Sequence, residues 1–166
     1  MDITKYLQIR NEMKTGDLLQ WHTRGVVGKL IRWKTRSNVN HSSLVLRLSE
    51  YEQLERRRYT TEALGHGTVL SLLSRRLEQF NGEVWWYPLI DEWDEKRKMI
   101  GERSLSLIGV PYDYRSIFKQ IVGHVSTNAQ KLFCSEYCFI AYGLAGRAPT
   151  PAEMPGLNIF KPVVKL

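Results

Sequence analysis

The chain has 166 residues, of which 43% are hydrophobic and 25% charged, a composition that fits one folded domain and excludes disorder over most of its length. The longest uninterrupted apolar run, Val84 to Ile90, has seven residues and is far shorter than the roughly 18 that span a bilayer. The formal charge of +7 favours an anionic partner such as an acidic substrate, a lipid headgroup or nucleic acid, although an ordinary basic surface explains it equally well.

The N-terminal residues lack the hydrophobic stretch that marks a secretory signal, so a cytoplasmic location is expected. The two cysteines, Cys134 and Cys138, are too close together to staple distant parts of the fold, and a reducing compartment keeps them as thiols. The four histidines are scattered, there is no second cysteine pair and there is no glycine-rich phosphate loop. We therefore expect neither a metal nor a cofactor.

The first half of the chain alternates apolar stretches with polar breaks. Thr23 is a good N-cap for a basic helix, and the residues after Asn40 alternate as in a strand. The expected elements are a helix over 1–14, a strand over 18–22, a helix over 24–34, a loop over 37–40, and strands over 41–48, 57–64 and 68–71.

The second half is predicted to be mainly helical. After a turn at Asn81 and Gly82 the expected elements are an aromatic strand over 83–89, helices over 91–108, 114–125 and 134–144, and an irregular proline-rich tail over 147–166, with a short helix over 72–80 before the turn. The helix over 134–144 is apolar nearly all round and should be central. The pattern predicts one α+β domain over 1–166 with a mostly antiparallel sheet, in which 1–14 is an N-terminal helical extension.

Cys134 is the most informative single position. It stands where a polar loop enters the apolar helix, and a thiol at a helix N-terminus is stabilised as the thiolate by unpaired N–H groups. This favours a nucleophile, while the alternative is a small core residue. Cys138 lies one turn further into the helix and fits that alternative.

His41 and Glu62 are candidates for a base and its orienting carboxylate. A hairpin across 49–56 that pairs residue 48 with residue 57 places Ser43 opposite Glu62 and makes His41 and Glu62 diagonal neighbours on one face. A carboxylate in that place orients an imidazole and stabilises the imidazolium. The alternatives are a half-buried histidine and a solvated glutamate.

Several segments together resemble a known family. They are Gly16 to Trp21, Asn40 to Val45, Glu62 to Leu64, the Gly-x-x-Tyr-Asp segment Gly109 to Asp113, and the Cys-Ser-Glu helix start in Phe133 to Tyr137. In this order, over about residues 15 to 155, they resemble the circularly permuted papain-like, NlpC-type thiol hydrolases of the YiiX/YaeF-like branch, which is related to the lecithin–retinol acyltransferases.

The resemblance implies a papain-like core in permuted order, with the histidine strand early and the cysteine helix late. It implies that Cys134 is the nucleophile, His41 the general base and Glu62 the third member. It also implies that Tyr112 lies near the cleft, with a core role as the alternative, and that Asp17 is structural. Unlike many members of the family, this chain shows no signal peptide or lipid-attachment cysteine, which speaks against a periplasmic peptidoglycan role.

Three functions follow from these residues. The first is a thiol hydrolase or acyltransferase acting on an amide or ester of a cell-wall-type peptide or a lipid, with Trp21 and Tyr112 as the expected substrate contacts. The basic segment from Trp21 to Arg36 suits an anionic substrate or peripheral contact with an anionic membrane. The second is a non-catalytic lipid- or peptide-binding module on the same fold. The third, a nucleic-acid-binding protein, has only the charge in its favour, so no specific nucleic acid is expected.

Overall fold

The computed structural model describes residues 3–23, 39–48, 56–64, 67–109 and 133–166. The expected helices over 24–34 and 114–125, almost all of the turn over 49–56, and Tyr112 lie outside the described residues.

Six antiparallel strands form one sheet with the spatial order β4-β3-β2-β1-β5-β6. The strands are β1 (Leu18–Thr23), β2 (His41–Leu46), β3 (Tyr59–Leu64), β4 (Gly67–Leu72), β5 (Gly82–Tyr87) and β6 (Val164–Lys165). The first four follow one another as a meander, and β5 then returns to pair with β1. The prediction of an α+β protein with a mostly antiparallel sheet is confirmed.

Helices cover both faces of this sheet. They are α1 (Thr4–Ile9), α2 (Leu73–Glu78), α3 (Arg97–Ser106) and α4 (Phe133–Tyr142), with 3₁₀ helices at Asp91–Lys96 and Met154–Leu157. Neighbouring strand residues enter different cores, as alternation in a strand requires: Leu18 and Leu44 pack with α4, whereas Leu19 and Val45 pack with α1 and α2. The cysteine-bearing helix therefore lies against the centre of the sheet.

Three expectations about element boundaries were wrong. The N-terminal helix ends at Ile9, because the chain turns before Asp17, whose carboxylate accepts the Lys14 N–H at 2.9 Å. The helix expected over 91–108 is a tight 3₁₀ turn followed by α3. The tail is not irregular throughout, since Trp86 pairs with Val164 in the sheet. The strand β6 has only two residues, which is too short for an alternating pattern in the sequence. It exists because it pairs with β5.

Candidate active site

The β2–β3 hairpin has the register expected from the sequence. Leu44 lies opposite Thr61 and Leu46 opposite Tyr59, which continues to Ser43 opposite Glu62. His41 and Glu62 are therefore diagonal neighbours, and His41 Nε2 lies 2.7 Å from Glu62 Oε2. Since an ionised carboxylate only accepts hydrogen bonds, the imidazole donates Nε2–H to it.

Glu62 is a fully buried carboxylate whose two oxygens are both engaged. Its side chain has 0% exposure, and Arg76 of α2 donates from Nε to Oε1 at 2.8 Å and from Nη2 to Oε2 at 3.3 Å. Burial alone raises the pKa of Glu62, but the hydrogen bonds from His41 and Arg76 outweigh burial and hold the pKa below its usual value. Glu62 is thus an anion at neutral pH.

Cys134 is the second residue of α4, and its thiol is buried. Burial alone raises the pKa of the thiol, yet the charge and hydrogen bond of His41 and the backbone N–H groups of Ser42 and Ser135 lower it below the ordinary value. The start of the helix adds its partial positive charge. These groups all favour the thiolate.

His41 therefore stands between Cys134 and Glu62. Burial alone lowers the pKa of His41, but the charge and hydrogen bond of Cys134 and the hydrogen bond and charge of Glu62 outweigh burial and raise the pKa to about 9. Because Nε2 is held by Glu62, Nδ1 is the ring nitrogen left for the thiol. The arrangement favours a thiolate–imidazolium pair backed by a carboxylate.

Two tyrosines of α4 fix the position of the helix that carries Cys134. Tyr137 donates its hydroxyl to the Ser104 carbonyl on α3 at 3.2 Å, and Tyr142 donates to the Gly16 carbonyl at 2.8 Å. Both side chains are buried. These two hydrogen bonds hold α4, and with it Cys134, against α3 and the turn before β1.

Cys138 differs from Cys134 although it lies only one turn away. Its side chain has 0% exposure, and burial together with the charge of Cys134 raises its pKa well above the usual value. Cys138 is thus a neutral core thiol.

Trp21 has a different role from the expected substrate contact. Its side chain is fully buried, it donates Nε1–H to Ser43 Oγ at 2.8 Å, and it packs edge-on against Phe80. A side chain with no exposed surface does not reach a substrate, so this prediction was wrong. Trp21 instead packs in the core, and the centroid of its ring lies 6.5 Å from that of the His41 ring.

Arg76 is the site residue that the sequence did not single out. Leu73 and Leu77 of α2 are buried, and the helical period puts Arg76 beside them on the inner side. Arg75, one position earlier, is exposed. The positions of Leu73 and Leu77 in the helical repeat were the signal that could have identified Arg76. The number of arginines in the segment does not show which of the two neighbours points inward.

No group of three or more histidine, cysteine, aspartate or glutamate side chains that suits a metal ion occurs within the described ranges. In the same part of the chain, none of the helices has the length and apolar character needed to cross a bilayer.

Comparisons with known proteins show the fold. No family model matches the chain, and no curated protein matches it. The crystal structure of the metalloprotein YiiX from Escherichia coli O157:H7, DUF1105, is similar to this structure with a TM-score of 0.56 and 17% sequence identity. The similarity covers 78% of this chain, which spans 64% of the YiiX chain. The architecture is therefore a mixed α+β fold of the kind seen in YiiX, and at this identity the likeness concerns the fold alone.

Proposed function

We propose that this protein is a cysteine-dependent hydrolase or acyltransferase that cleaves an amide or ester through an acyl-enzyme on Cys134. The observation that carries the proposal is the buried chain of contacts from Cys134 through His41 to Glu62, with Nε2 of His41 2.7 Å from Oε2 of Glu62. Three groups from β2, β3 and α4 meet in the order nucleophile, base and orienting carboxylate.

In the first half of the proposed reaction the Cys134 thiolate attacks the carbonyl carbon. Backbone N–H groups at the start of α4 stabilise the developing oxyanion. The His41 imidazolium gives its proton to the leaving amine or alkoxide, the bond to the leaving group breaks, and a thioester on Cys134 remains.

In the second half the neutral imidazole takes a proton from water or from another acceptor. The resulting nucleophile attacks the thioester, the C–S bond breaks, and Cys134 returns as the thiolate beside the imidazolium. Throughout, Glu62 holds Nε2–H and so keeps Nδ1 directed at the reacting groups.

The order of the elements also supports a permuted papain-like arrangement. The strands bearing His41 and Glu62 come first in the chain, and the helix bearing Cys134 packs on the sheet afterwards. The YiiX-like fold is consistent with this order.

YiiX is called a metalloprotein, but the residues of this site do not fit a metal. Both oxygens of Glu62 already accept hydrogen bonds from Arg76 and His41, and a guanidinium 2.8 Å from Oε1 occupies the place of a cation. No step of the proposed reaction involves a metal.

The proposed substrate is an amide or ester of a peptide or a lipid. The charge of +7 favours an anionic molecule of either class, and peripheral contact with an anionic membrane surface belongs to the same proposal.

The proposal is tested with p-nitrophenyl acetate, a small activated ester. Wild-type protein should release p-nitrophenolate and carry one acetyl group on Cys134, located by peptide mass spectrometry. Cys134→Ala should lower the enzyme-catalysed rate by more than about 1000-fold, because loss of the nucleophile costs on the order of 10⁶-fold in a serine protease. Cys138→Ala is the matched control and should keep the wild-type rate, because Cys138 lies in the core.

Two results would contradict the proposal. One is hydrolysis by Cys134→Ala at the wild-type rate, and the other is acetylation at a residue other than Cys134. Tight binding of a lipid or peptide without any acylation would instead favour the binding module on the same fold.

A further inference from the structure

Arg76 contacts Glu62 from α2, whereas His41 contacts it from β2. Its guanidinium donates from Nε to Oε1 at 2.8 Å and from Nη2 to Oε2 at 3.3 Å, so the carboxylate is held at both oxygens. Oε2 is shared with His41 Nε2 at 2.7 Å. The planar fork of an arginine fixes the plane of a carboxylate in a way that a lysine does not.

The guanidinium is itself held in place before any substrate arrives. It lies over the Trp21 ring at 4.8 Å and near the Phe80 ring at 5.3 Å from the ring centroids. The Arg76 side chain is 25% exposed, and the neighbouring Leu73 and Leu77 anchor α2 in the core. The contact with Glu62 is therefore preorganised.

We propose that Arg76 is a positioning residue that keeps Glu62 ionised and aimed at His41 throughout the reaction, including the stage at which His41 is neutral. Its role in turnover rests on the proposed function. Its role in holding the charge of Glu62 rests on the contacts alone.

The need for such a charge follows from the burial of Glu62. A carboxylate with 0% exposure is costly unless a positive group compensates it. The His41 imidazolium supplies that charge only until it protonates the leaving group. Once His41 is neutral, Arg76 is the cation that compensates the charge of Glu62. The carboxylate therefore stays ionised, and the proton from water goes to His41 instead of to Glu62.

Within residues 3–23, 39–48, 56–64, 67–109 and 133–166, the charged or titratable groups that act directly on His41 are Glu62 on β3 and Cys134 on α4. Cys138 lies deeper in α4, and Trp21 of β1 is uncharged. Removing the charge of Arg76 therefore leaves Glu62 with His41 as its nearest compensating cation. The imidazolium should then hold its proton more tightly, because one nearby positive charge has been lost.

The test is a histidine titration by NMR in the Cys134→Ala background, which removes the coupled thiol. Arg76→Met should raise the apparent pKa of His41 by about one pH unit, the effect of losing a nearby charge. Arg76→Gln should do the same, and Arg76→Lys should restore most of the original value. Arg75→Met is the matched control, because Arg75 is the adjacent, exposed arginine, and it should leave the titration unchanged.

A second measurement uses p-nitrophenyl acetate with Cys134 present. Arg76→Met should slow deacylation about tenfold, as one pH unit implies, while acylation changes less. If His41 titrates in both neutral variants within about 0.2 units of the parent, the proposal for Arg76 is wrong. If the wild type forms no acyl group on Cys134, the proposed function fails, while the titration still decides the role of Arg76.

Discussion

Asp17 and Arg97 form a largely buried ion pair across 80 positions of the sequence, with 2.8 Å between Oδ1 and Nη1. The same carboxylate accepts hydrogen bonds from Trp86 Nε1 at 2.9 Å and from the Leu89 N–H at 3.1 Å. Asp17 thus ties the start of β1 to β5 and α3. The structural role that the family resemblance implied for Asp17 agrees with these contacts.

Asp17→Asn should lower the free energy of unfolding by about 3 kcal/mol, because it removes the buried anionic partner of the Arg97 guanidinium and leaves only the exposed Asp94 to pair with it. For a chain of this size that corresponds to a decrease in Tm of roughly 6 to 12 °C. Asp94→Asn is the control: Asp94 also pairs with Arg97 but is 42% exposed, so its loss should cost less than about 1 kcal/mol. Equal losses for the two variants, measured by urea unfolding, would contradict the assignment.

The two cysteines should react very differently with iodoacetamide at about pH 6. The pKa of Cys134 is below the ordinary thiol value and that of Cys138 is well above it, so the thiolate that reacts belongs to Cys134. Peptide mass spectrometry should find the label on Cys134, and Cys134→Ser should abolish early labelling. Equal labelling, or faster labelling of Cys138, would remove the basis for a nucleophile at Cys134.

If His41 is the base as proposed, Glu62→Gln should lower kcat on the order of 100-fold and change KM less, because the buried carboxylate contacts His41 and has no surface exposed to a substrate. Glu62 also helps to raise the pKa of His41 to about 9. The alkaline limb of the kcat/KM profile, expected near pH 9 in the wild type, should therefore move to lower pH in the variant. Glu78→Gln, an exposed change on α2, is the control for both effects.

The same raised pKa links the stability of the fold to pH. A histidine whose pKa increases from 6.5 to about 9 on folding stabilises the protein fully below about pH 6.5. That contribution is lost as the pH rises through about 9.

The kcat/KM profile of Glu62→Gln decides whether Glu62 acts on His41. If its alkaline limb lies at the same pH as in the wild type, Glu62 does not raise the pKa of His41.

Gly82 should tolerate no side chain. A Cβ atom there would lie 2.0 Å from the carbonyl oxygen of His22 in β1 and 2.7 Å from the Phe80 ring. Gly82→Ala should lower the free energy of unfolding by about 2 kcal/mol through overpacking. In Gly156→Ala the new Cβ meets no atom within 4 Å, so the change should be within about 0.5 kcal/mol. Similar melting curves for the two variants would contradict this.

The sequence predicted those parts of the site that depend on local pairing. The β2–β3 register is the one obtained by pairing the two stretches symmetrically about 49–56, and the 2.7 Å contact of His41 with Glu62 agrees with that register. By contrast, no periodic pattern connects His41 with Cys134, since their contact depends on how α4 packs on the sheet. The family resemblance, rather than periodicity, brought these two residues together.

Other features depend on tertiary contacts that the sequence does not encode locally. The pairing of Val164 with Trp86 needs a partner strand far away in the chain. Trp21 was expected to contact substrate because it begins a basic segment, but its hydrogen bond to Ser43 shows that the core takes up its ring. Buried aromatic and surface aromatic residues look alike in a composition count.

The order of the elements has a consequence for the nascent chain. A ribosome produces β2, β3 and α2 well before α4, so His41, Glu62 and Arg76 emerge first and Cys134 comes last. Until α4 packs on the sheet, Cys134 lacks the imidazole and the Ser42 N–H that lower its pKa. A partly synthesised or partly folded chain therefore carries an ordinary, mostly protonated thiol, and full reactivity arises only when folding is complete.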